Sequence, residues 1–344
     1  MTNPASFRLS VLDQSPVEEG SSAAEAVRNT LDLARSCDAL GYDRYWLAEH
    51  HASQSIVGVA PEALIGPVAL ATKRIRVGSG GIMLPHFSPF KIAETFRLLG
   101  AIAPGRIDLG LGRAPGSDQR AAYALQRDRS RRIPSDDFPN HVAELLAYLS
   151  DSLPADHPFA TLAQTLPDGT EGSPAPWMLG SSPDSARWAG EMGLPYCIAD
   201  FINPQAVPLA EIYRRAFQPS IWCGEPHVMV GIWTIAATDR GEAEELAMPF
   251  AMMFAHLIAG KTIRVPSVET ARDWARDNVG AARRDRRMLL GNGREVRAEL
   301  ESVAALYGAQ EMMLVNIMPD HVKRRRSYEL VAEAFGMRQT AEAA

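Results

Sequence analysis

The sequence has few of the features that stabilise secreted proteins or anchor membrane proteins. Its 344 residues include only three cysteines, Cys37, Cys197 and Cys223, which lie far apart and show no C-x-x-C spacing. This pattern indicates neither a disulfide framework nor a structural zinc site, and it favours the reducing cytoplasm. No uncharged apolar run approaches about 18 residues and no signal-peptide core follows Met1, so neither membrane insertion nor secretion is expected.

An excess of basic residues is also missing. The chain has 35 Lys and Arg against 41 Asp and Glu, which gives a net charge of −6. Affinity for nucleic acid comes largely from neutralised phosphates, so this balance disfavours a general nucleic-acid-binding protein. What is present is a composition of 46% hydrophobic and 22% charged residues, which is typical of a soluble globular chain with a large core.

Strand patterns alternate with helical patterns along the whole chain. Helical spacing is seen, for example, in Ser21–Leu40, which Ser22 can cap and Gly41 can end. The alternation indicates an α/β fold with a parallel sheet, and eight strands are the number that closes a (β/α)8 TIM barrel. A doubly wound open sheet is the competing architecture. The predicted strands are Phe7–Leu12, Tyr45–Ala48, Ile75–Leu84, Arg106–Gly110, Trp177–Gly180, Pro195–Ala199, His227–Ala237 and Glu311–Asn316.

Two segments interrupt this repeat. Asp151–Pro176 is rich in Pro, Gly, Asp and Thr, while Ala259–Leu290 is charged, rich in Arg and has little periodicity. Both are expected to be long loops or insertions at the C-terminal rim of the strands, where they could act as lids. Because no shift in composition divides the chain, residues 1–344 are expected to form one barrel domain.

The end of the second predicted strand carries three polar side chains in a row, Glu49, His50 and His51. The C-terminal ends of barrel strands carry active sites, so a carboxylate followed by two imidazoles suits acid-base chemistry or a cofactor contact. Adjacent strand residues point to opposite faces and no third ligand follows at a familiar spacing, which disfavours a shared metal. The alternative is a histidine that only fills a polar niche.

Glycines cluster at the ends of the next two strands. The third strand contains Ser79, Gly80 and Gly81, and glycines inside a strand mark either a structural bulge or a place where a ligand approaches the backbone. The fourth strand runs into the segment Gly110–Ser117, which includes Gly112 and Arg113. Free amides and a guanidinium there suit a phosphate, although the G-x-G-x-x-x-G spacing is one residue longer than the dinucleotide fingerprint.

A third set of candidate residues follows the fifth strand. Leu179 ends this strand, Ser181 and Ser182 follow, and Ser185 lies in the first turn of the next predicted helix. Hydroxyls and free amides at a helix N-terminus form an anion site, although an ordinary serine N-cap has the same pattern. Since Arg113 lies on the same rim, the two segments together favour phosphate binding.

Segments spread over nearly the whole chain resemble the bacterial-luciferase-like flavin monooxygenases, in the subgroup called luciferase family oxidoreductases, group 1. In the expected order they include LGYDRYWLAEHHA, RIRVGSGGIMLP, GRIDLGLGRAPGSDQ and LGSSPDSARWAGEMGLPY. The resemblance implies a TIM barrel, usually a homodimer, that binds reduced FMN at the C-terminal rim. It also implies that O2 reacts there to oxygenate a small organic substrate.

The same resemblance implies roles for individual residues. Glu49 and His50 would lie near the isoalloxazine ring, with His50 as the acid-base group. Gly80 and Gly81 match a bulge beneath the ring, where the family often has a non-prolyl cis peptide, and Arg113 matches a phosphate contact together with Ser182 and Ser185. The complete expected cofactor-binding set is Ser79, Gly80, Gly81, Gly112, Arg113, Leu179, Ser181, Ser182 and Ser185, and no metal ligand is expected.

Three functions follow from this resemblance. The leading hypothesis is a two-component monooxygenase that receives reduced FMN from a separate flavin reductase, because the sequence has no convincing nicotinamide motif. The alternative keeps the barrel but uses the deazaflavin F420 for hydride transfer, which needs no oxygen. The third is a non-catalytic flavin-binding protein, against which Glu49, His50 and Arg113 argue.

Overall fold

A computed structural model describes residues 7–113, 119–125, 137–167, 172–278 and 286–337. Within these ranges the chain forms nine strands that belong to one sheet. In chain order they are β1 Arg8–Asp13, β2 Arg44–Leu47, β3 Arg76–Met83, β4 Ile107–Gly112, β5 Ala175–Gly180, β6 Tyr196–Ala199, β7 Val228–Ala237, β8 Met288–Asn292 and β9 Glu311–Val315.

Eight of these strands close into a barrel. β1 pairs with β2 on one side and with β9 on the other, and neighbouring pairs continue from β2 through β6 to β7. The circle closes where β7 pairs with β9, and every pair is parallel. The predicted (β/α)8 TIM barrel is therefore confirmed, and the open doubly wound sheet is wrong.

The strand β8 is not predicted from the sequence, which counts eight strands instead of nine. β7 is ten residues long, so its second half extends past β9 and pairs with β8, from Trp233 with Met288 to Ala237 with Asn292. Only three apolar residues follow the arginines at this point, and so short a run carries no strand periodicity. β8 lies outside the closed circle and extends the sheet at the C-terminal end of β7.

Helices follow most of the strands. Ser22 caps α1, since its hydroxyl accepts a hydrogen bond of 3.2 Å from the amide of Glu25, and Gly41 ends the helix at a φ of 87°. No helix in the described ranges is both long and apolar enough to cross a bilayer. The helices are α1 Ala23–Leu40, α2 Pro61–Ala71, α3 Pro89–Ile102, α4 Gln119–Leu125, α5 Asp137–Leu149, α6 Ala160–Ala163, α7 Pro183–Glu191, α8 Val207–Ala216, α9 Arg240–Ile258, α10 Val268–Asp277, α11 Gly293–Tyr307 and α12 His321–Ala334.

The connection from β7 to α11 is an excursion at the C-terminal end of the strands. It contains α9, α10 and β8, which pack on one another, and α11 then packs against β7 and α12. The segment 259–290 thus holds α10 and the start of β8, while the segment 151–176 holds the short α6 and the start of β5. Additional structure is concentrated between β7 and β9.

The two largest apolar cores lie on opposite faces of the barrel wall, and a third cluster lies around Leu246 of α9. Along β2, Tyr45 and Leu47 belong to the core between strands and helices, whereas Trp46 and Ala48 belong to the cluster inside the barrel. This alternation follows from the two-residue period of a strand. The interior of the barrel is therefore filled with apolar and aromatic side chains.

A layer of charged residues closes the N-terminal end of the barrel. Arg44, at the start of β2, lies 2.7 Å from Asp108 and 2.9 Å from Glu311, and both carboxylates are fully buried. Arg76 lies 2.6 Å from Asp108 on the other side. Burial alone would raise the pKa of Glu311, but the hydrogen bond with His227 and the charge of Arg44 lower it. This network closes the end of the barrel opposite to the strand C-termini.

Candidate functional site

Glu49 directly follows Ala48 at the C-terminal end of β2 and is fully buried. Its Oε1 lies 2.8 Å from Nε2 of His51, and its Oε2 accepts a hydrogen bond of 2.9 Å from the backbone amide of Met83. The His51 ring packs edge-on against His86, with 5.8 Å between the centroids. Both carboxylate oxygens are thus engaged, and Glu49 ties the end of β2 to the end of β3.

His50 has a different environment from its two neighbours. Its backbone amide donates to the carbonyl of Gly58 at 2.8 Å, and its half-buried ring has an Nδ1 with no hydrogen-bond partner among the described residues. Burial and the adjacent His51 lower the pKa of His50 to about 4. The imidazole is therefore neutral at pH 7 and has a nitrogen that can accept a proton from a bound molecule.

The glycines of β3 form the bulge that the sequence predicts. The peptide bond between Gly80 and Gly81 is cis, and the register with β4 shifts between Ser79 and Ile82. A Cβ at Gly80 would lie 2.5 Å from Cδ1 of Leu12, and a Cβ at Gly81 would lie 2.7 Å from the carbonyl oxygen of Gly110. Both glycines are therefore required by close packing, whether or not a ligand also approaches them.

Close packing continues from β3 across β4 to β5. The Ser79 hydroxyl donates to the carbonyl of Gly110 at 2.9 Å, and a Cβ at Gly110 would lie 2.9 Å from Cδ1 of Leu179. Gly112 lies against the side chain of Met83 in the same way. Ser79 and Gly112 thus hold the rim together, and Leu179, which is half-buried, borders the interior cluster.

Arg113 lies beside the N-terminus of α7, near Asp184. Its Nη1 is 3.8 Å from Oδ2 of Asp184, and its guanidinium lies 5.2 Å from the ring centroid of Trp188. Its side chain is 35% exposed, so it can exchange this long contact for an anion. Residues 114–118, which complete the glycine-rich segment predicted after β4, lie outside the described residues.

The serines at this helix end form an N-cap. The Ser182 hydroxyl accepts from the amide of Ser185 at 3.3 Å, and the Ser185 hydroxyl donates to the Ser182 carbonyl and lies 2.9 Å from the Tyr196 hydroxyl. Ser185 is buried, whereas Ser181 and Ser182 are partly accessible. The capping interpretation therefore accounts for both hydroxyls, and any anion would meet Ser181, Ser182 and the first amides of α7 before Ser185.

The excursion after β7 supplies a part of the site that the sequence analysis does not predict. Phe250, Met253 and Phe254 of α9 pack on the cluster inside the barrel. Trp233 of β7 lies 4.2 Å from Phe250 and 5.8 Å from Phe201, between ring centroids, and Phe250 stacks on Phe254 at 6.0 Å. We call Phe201, Trp233, Phe250 and Phe254 the aromatic row.

The fold and the residues on its rim together define a class of protein. A closed parallel barrel that gathers an imidazole, a buried carboxylate, an arginine and an apolar interior at the C-terminal ends of its strands has the layout of a TIM-barrel enzyme. Residues 7–311 match the family described as luciferase-like monooxygenase. The chain belongs to this family, and the match supports an oxidoreductase that incorporates oxygen.

Similar proteins cover almost the whole chain. A luciferase-like monooxygenase of Escherichia coli K12 is 40% identical over 94% of this chain and 96% of its own length. The N-acetyl-S-alkylcysteine monooxygenase of Bacillus subtilis is 35% identical over 95% of this chain and 98% of its own length. The crystal structure of apo-MsnO8 has a TM-score of 0.88 at 34% identity, over 98% of this chain and 100% of that one.

More distant structures share the fold alone. The oxygenating constituent of 3,6-diketocamphane monooxygenase from Pseudomonas putida, solved in complex with FMN, has a TM-score of 0.71 at 21% identity over 95% of this chain and 97% of that one. An F420-dependent secondary alcohol dehydrogenase has a TM-score of 0.65 at 16% identity over 95% of this chain and 99% of that one. The same barrel therefore occurs with either cofactor.

Proposed function

We propose that this chain is the oxygenating component of a two-component monooxygenase, which binds reduced FMN from a separate flavin reductase and uses O2 to oxidise a small organic substrate. The proposal is carried by one rim of the barrel. On this rim Arg113 lies beside the N-terminus of α7, and His50 is a neutral imidazole whose Nδ1 has no partner in the described ranges. The free cysteines of the described residues agree with a cytoplasmic location.

The residues fit a flavin mononucleotide. A phosphate needs donors of fixed geometry, and Arg113 together with the amides at the start of α7 provides them. A planar ring system needs a surface free of projecting side chains, and neither Gly80, which packs on Leu12 and Trp46, nor Gly81, which packs on the Gly110 backbone, has a side chain to project. Bound reduced FMN supplies two electrons, so that one atom of O2 enters the substrate and the other leaves as water.

In this proposal the residues of the chain bind the flavin, orient its ring and protect the reaction from water. Arg113 fixes the phosphate end, and the β3 glycines fix the plane of the ring. Glu49 holds the β2 and β3 ends at a constant separation through His51 and the Met83 amide. His50 accepts or returns a proton at Nδ1, and the apolar interior excludes water from the reaction.

The cofactor assignment is tested by anaerobic titration of the protein with FMN, reduced FMN and F420 in separate samples. We expect the tightest binding for reduced FMN and an oxygen-dependent absorbance transient when air is admitted to that sample. A preference for F420 with no response to oxygen would replace the proposal by hydride transfer. Tight flavin binding with no turnover of any substrate would support the third hypothesis, a non-catalytic flavin-binding protein.

Arg113→Gln is expected to weaken binding of reduced FMN about 10- to 100-fold, because a charge-assisted hydrogen bond contributes about 1.5–3 kcal/mol. The same variant should bind reduced riboflavin as the unchanged protein does, since riboflavin has no phosphate. Arg187→Gln is the matched control, because Arg187 also pairs with Asp184 but is 50% exposed on the outside of α7. Equal losses for FMN and riboflavin would contradict the phosphate role.

We further propose that the protein is a homodimer whose interface includes α2 and α3. On α2 the exposed positions Ala63, Pro67 and Leu70 are all apolar and share one helix face, and α3 adds exposed Leu98 and Ile102 beside it. A helix that is apolar on every side is usually covered. Leu70, at 76% exposure, is the most accessible large side chain of this surface.

Leu70→Glu is expected to convert the dimer into a monomer, because it would bury two uncompensated carboxylates in a symmetric interface. Sedimentation velocity at micromolar protein gives the result directly. Val322→Glu is the control, since Val322 is 74% exposed on α12, away from α2 and α3. A wild-type monomer, or a Leu70→Glu dimer, would contradict this interface.

A further inference from the structure

We infer that the aromatic row, Phe201, Trp233, Phe250 and Phe254, is the specificity-determining subsite of the pocket and receives the apolar arm of an alkyl or aryl thioether. The inference rests on the proposed function, because it gives the substrate class of the same site. The row is continuous: each ring lies within 6.0 Å of the next, from Phe201 through Trp233 and Phe250 to Phe254.

The exposure of these rings increases from the middle of the row to its two ends. Trp233 is 4% exposed and Phe250 is 9% exposed, so both are packed into the barrel cluster. Phe201 and Phe254, at the two ends of the row, are half-buried. The inner rings therefore form a rigid backing, and the outer rings present aromatic surface that a ligand can cover.

The aromatic row borders the same apolar interior as the proposed flavin and proton sites. The interior cluster contains Trp233 and Phe250 together with Leu12, Trp46 and Ala48. Leu12 and Trp46 lie directly beneath Gly80, and Ala48 precedes Glu49 and His50 in the chain. A substrate lying against the accessible ends of the row would therefore contact the same side-chain cluster that the β2 and β3 residues border from other strands.

Hydrogen bonds hold the backbone of Phe201, and a guanidinium packs on the ring of Phe254. The Trp233 indole donates to the Phe201 carbonyl at 3.2 Å, and Arg286 Nη1 donates to the same oxygen at 2.8 Å. The Arg286 guanidinium also lies 3.8 Å from the centroid of Phe254. Since Arg286 contacts both ends of the row, Phe201 and Phe254 keep a set separation, which is what a size-selective wall requires.

The chemistry of this wall suits a thioether with an apolar arm. Aromatic rings make favourable contacts with polarisable sulfur, and Met253 adds a flexible side chain that adapts to an arm of variable shape. Each methylene removed from water improves binding by about fourfold. A relative 35% identical to this chain is named for N-acetyl-S-alkylcysteines, a thioether class in which the arm varies while the rest stays constant.

The experiment measures KM and kcat for N-acetyl-S-alkylcysteines with methyl, butyl, hexyl and benzyl arms, at saturating reduced FMN, with product detected by mass spectrometry. Wild-type KM is expected to fall by about fourfold per methylene up to a limiting arm length. Phe254→Ala should raise KM for the benzyl compound at least about tenfold and leave kcat nearly unchanged, as expected when uniform binding is lost. Phe254→Trp should move the optimum to shorter arms.

Leu257→Ala is the matched control, since Leu257 is on the same helix but 57% exposed, and its KM values should equal those of the wild type. The inference is overturned if wild-type KM does not depend on the arm, or if the Phe254 variants behave as the control does. Binding of reduced FMN and oxygen uptake, measured in the same samples without thioether, separate the two hypotheses. If the protein neither binds reduced FMN nor takes up oxygen, the proposed function is refuted. If it does both but KM does not depend on the length of the arm, only the aromatic subsite is refuted.

Discussion

His50→Ala is expected to lower kcat for substrate oxygenation by about 10²- to 10⁴-fold, the range contributed by a positioned general acid or base. Binding of reduced FMN should change little, because the phosphate donors lie on β4 and α7. The expectation follows from Nδ1 of His50, a buried nitrogen on the rim that has no partner among the described residues. Single-turnover measurements with a saturating substrate give the rate, and flavin titration gives the affinity.

The pH dependence distinguishes this role from a structural one. The pKa of His50 is lowered to about 4 by burial and by His51, so the imidazole stays neutral and able to accept a proton well below pH 6. The acidic limb of kcat/KM should therefore lie near pH 4 to 5, whereas an ordinary histidine would titrate near pH 6.5. Since the folded pKa lies below the unfolded value, the unfolded state takes up the proton first, and stability is lost as the pH falls from about 6.5 to about 4.

His157→Ala is the control for this prediction, because His157 lies in the loop before α6 and contacts Phe159 of its own segment. It should retain wild-type rates. A His50→Ala variant with an unchanged rate would exclude the acid-base assignment. A variant with lower flavin affinity and an unchanged rate constant would instead make His50 a binding residue.

Asp13→Ala is expected to lower the free energy of unfolding by about 3–5 kcal/mol, because it leaves a buried guanidinium without its counter-charge. Asp13 is fully buried and lies 2.7 Å from Arg324, which is 2% exposed. The same carboxylate accepts hydrogen bonds from Thr30, Tyr45 and the amide of Ser15. These contacts join β1 to α1 and α12, so their loss affects the wall of the barrel itself. Urea denaturation followed by circular dichroism measures the change.

The pH dependence of this difference has a defined sign. Burial would raise the pKa of Asp13, but the charge of Arg324 and the hydrogen bonds from Tyr45 and Arg324 outweigh it and lower the pKa. The stabilisation is therefore complete at neutral pH and is lost as the pH falls below about 4. Asp32→Ala is the control, since Asp32 pairs with His321 and Arg325 at 42% exposure, and such a pair contributes at most about 1 kcal/mol. Similar losses for both variants would contradict the explanation.

Much of the fold follows from periodicity in the sequence. The alternation along β2, with Trp46 inward and Tyr45 outward, is local, and so are the Ser22 cap and the Gly41 stop of α1. The glycine bulge of β3 is also local, because Gly80 and Gly81 leave no side chain to place in a strand. Features of this kind depend on neighbouring residues and can be predicted one segment at a time.

The parts that the sequence does not predict depend on contacts between distant segments. β8 exists because β7 extends past β9 and leaves an edge for pairing, which no property of residues 288–292 reveals. α9 has an ordinary helical pattern, and only its position after the long β7 turns Phe250 and Phe254 toward the interior. The bond between Glu49 and the Met83 amide spans 34 residues, so sequence reasoning predicts Glu49 at the rim but not its fixed partner.

The two kinds of site residue come from different parts of the chain. Every residue proposed to hold the flavin or its proton lies between positions 49 and 185, in or after the strands β2 to β5 and at the start of α7, whereas the aromatic row lies between positions 201 and 254. Substitutions that change the choice of substrate therefore need not alter the residues proposed to bind the flavin. Homologues can diverge in what they oxidise while inheriting one oxygen chemistry, and a chimera joined near residue 200 would carry the substrate preference of its C-terminal parent.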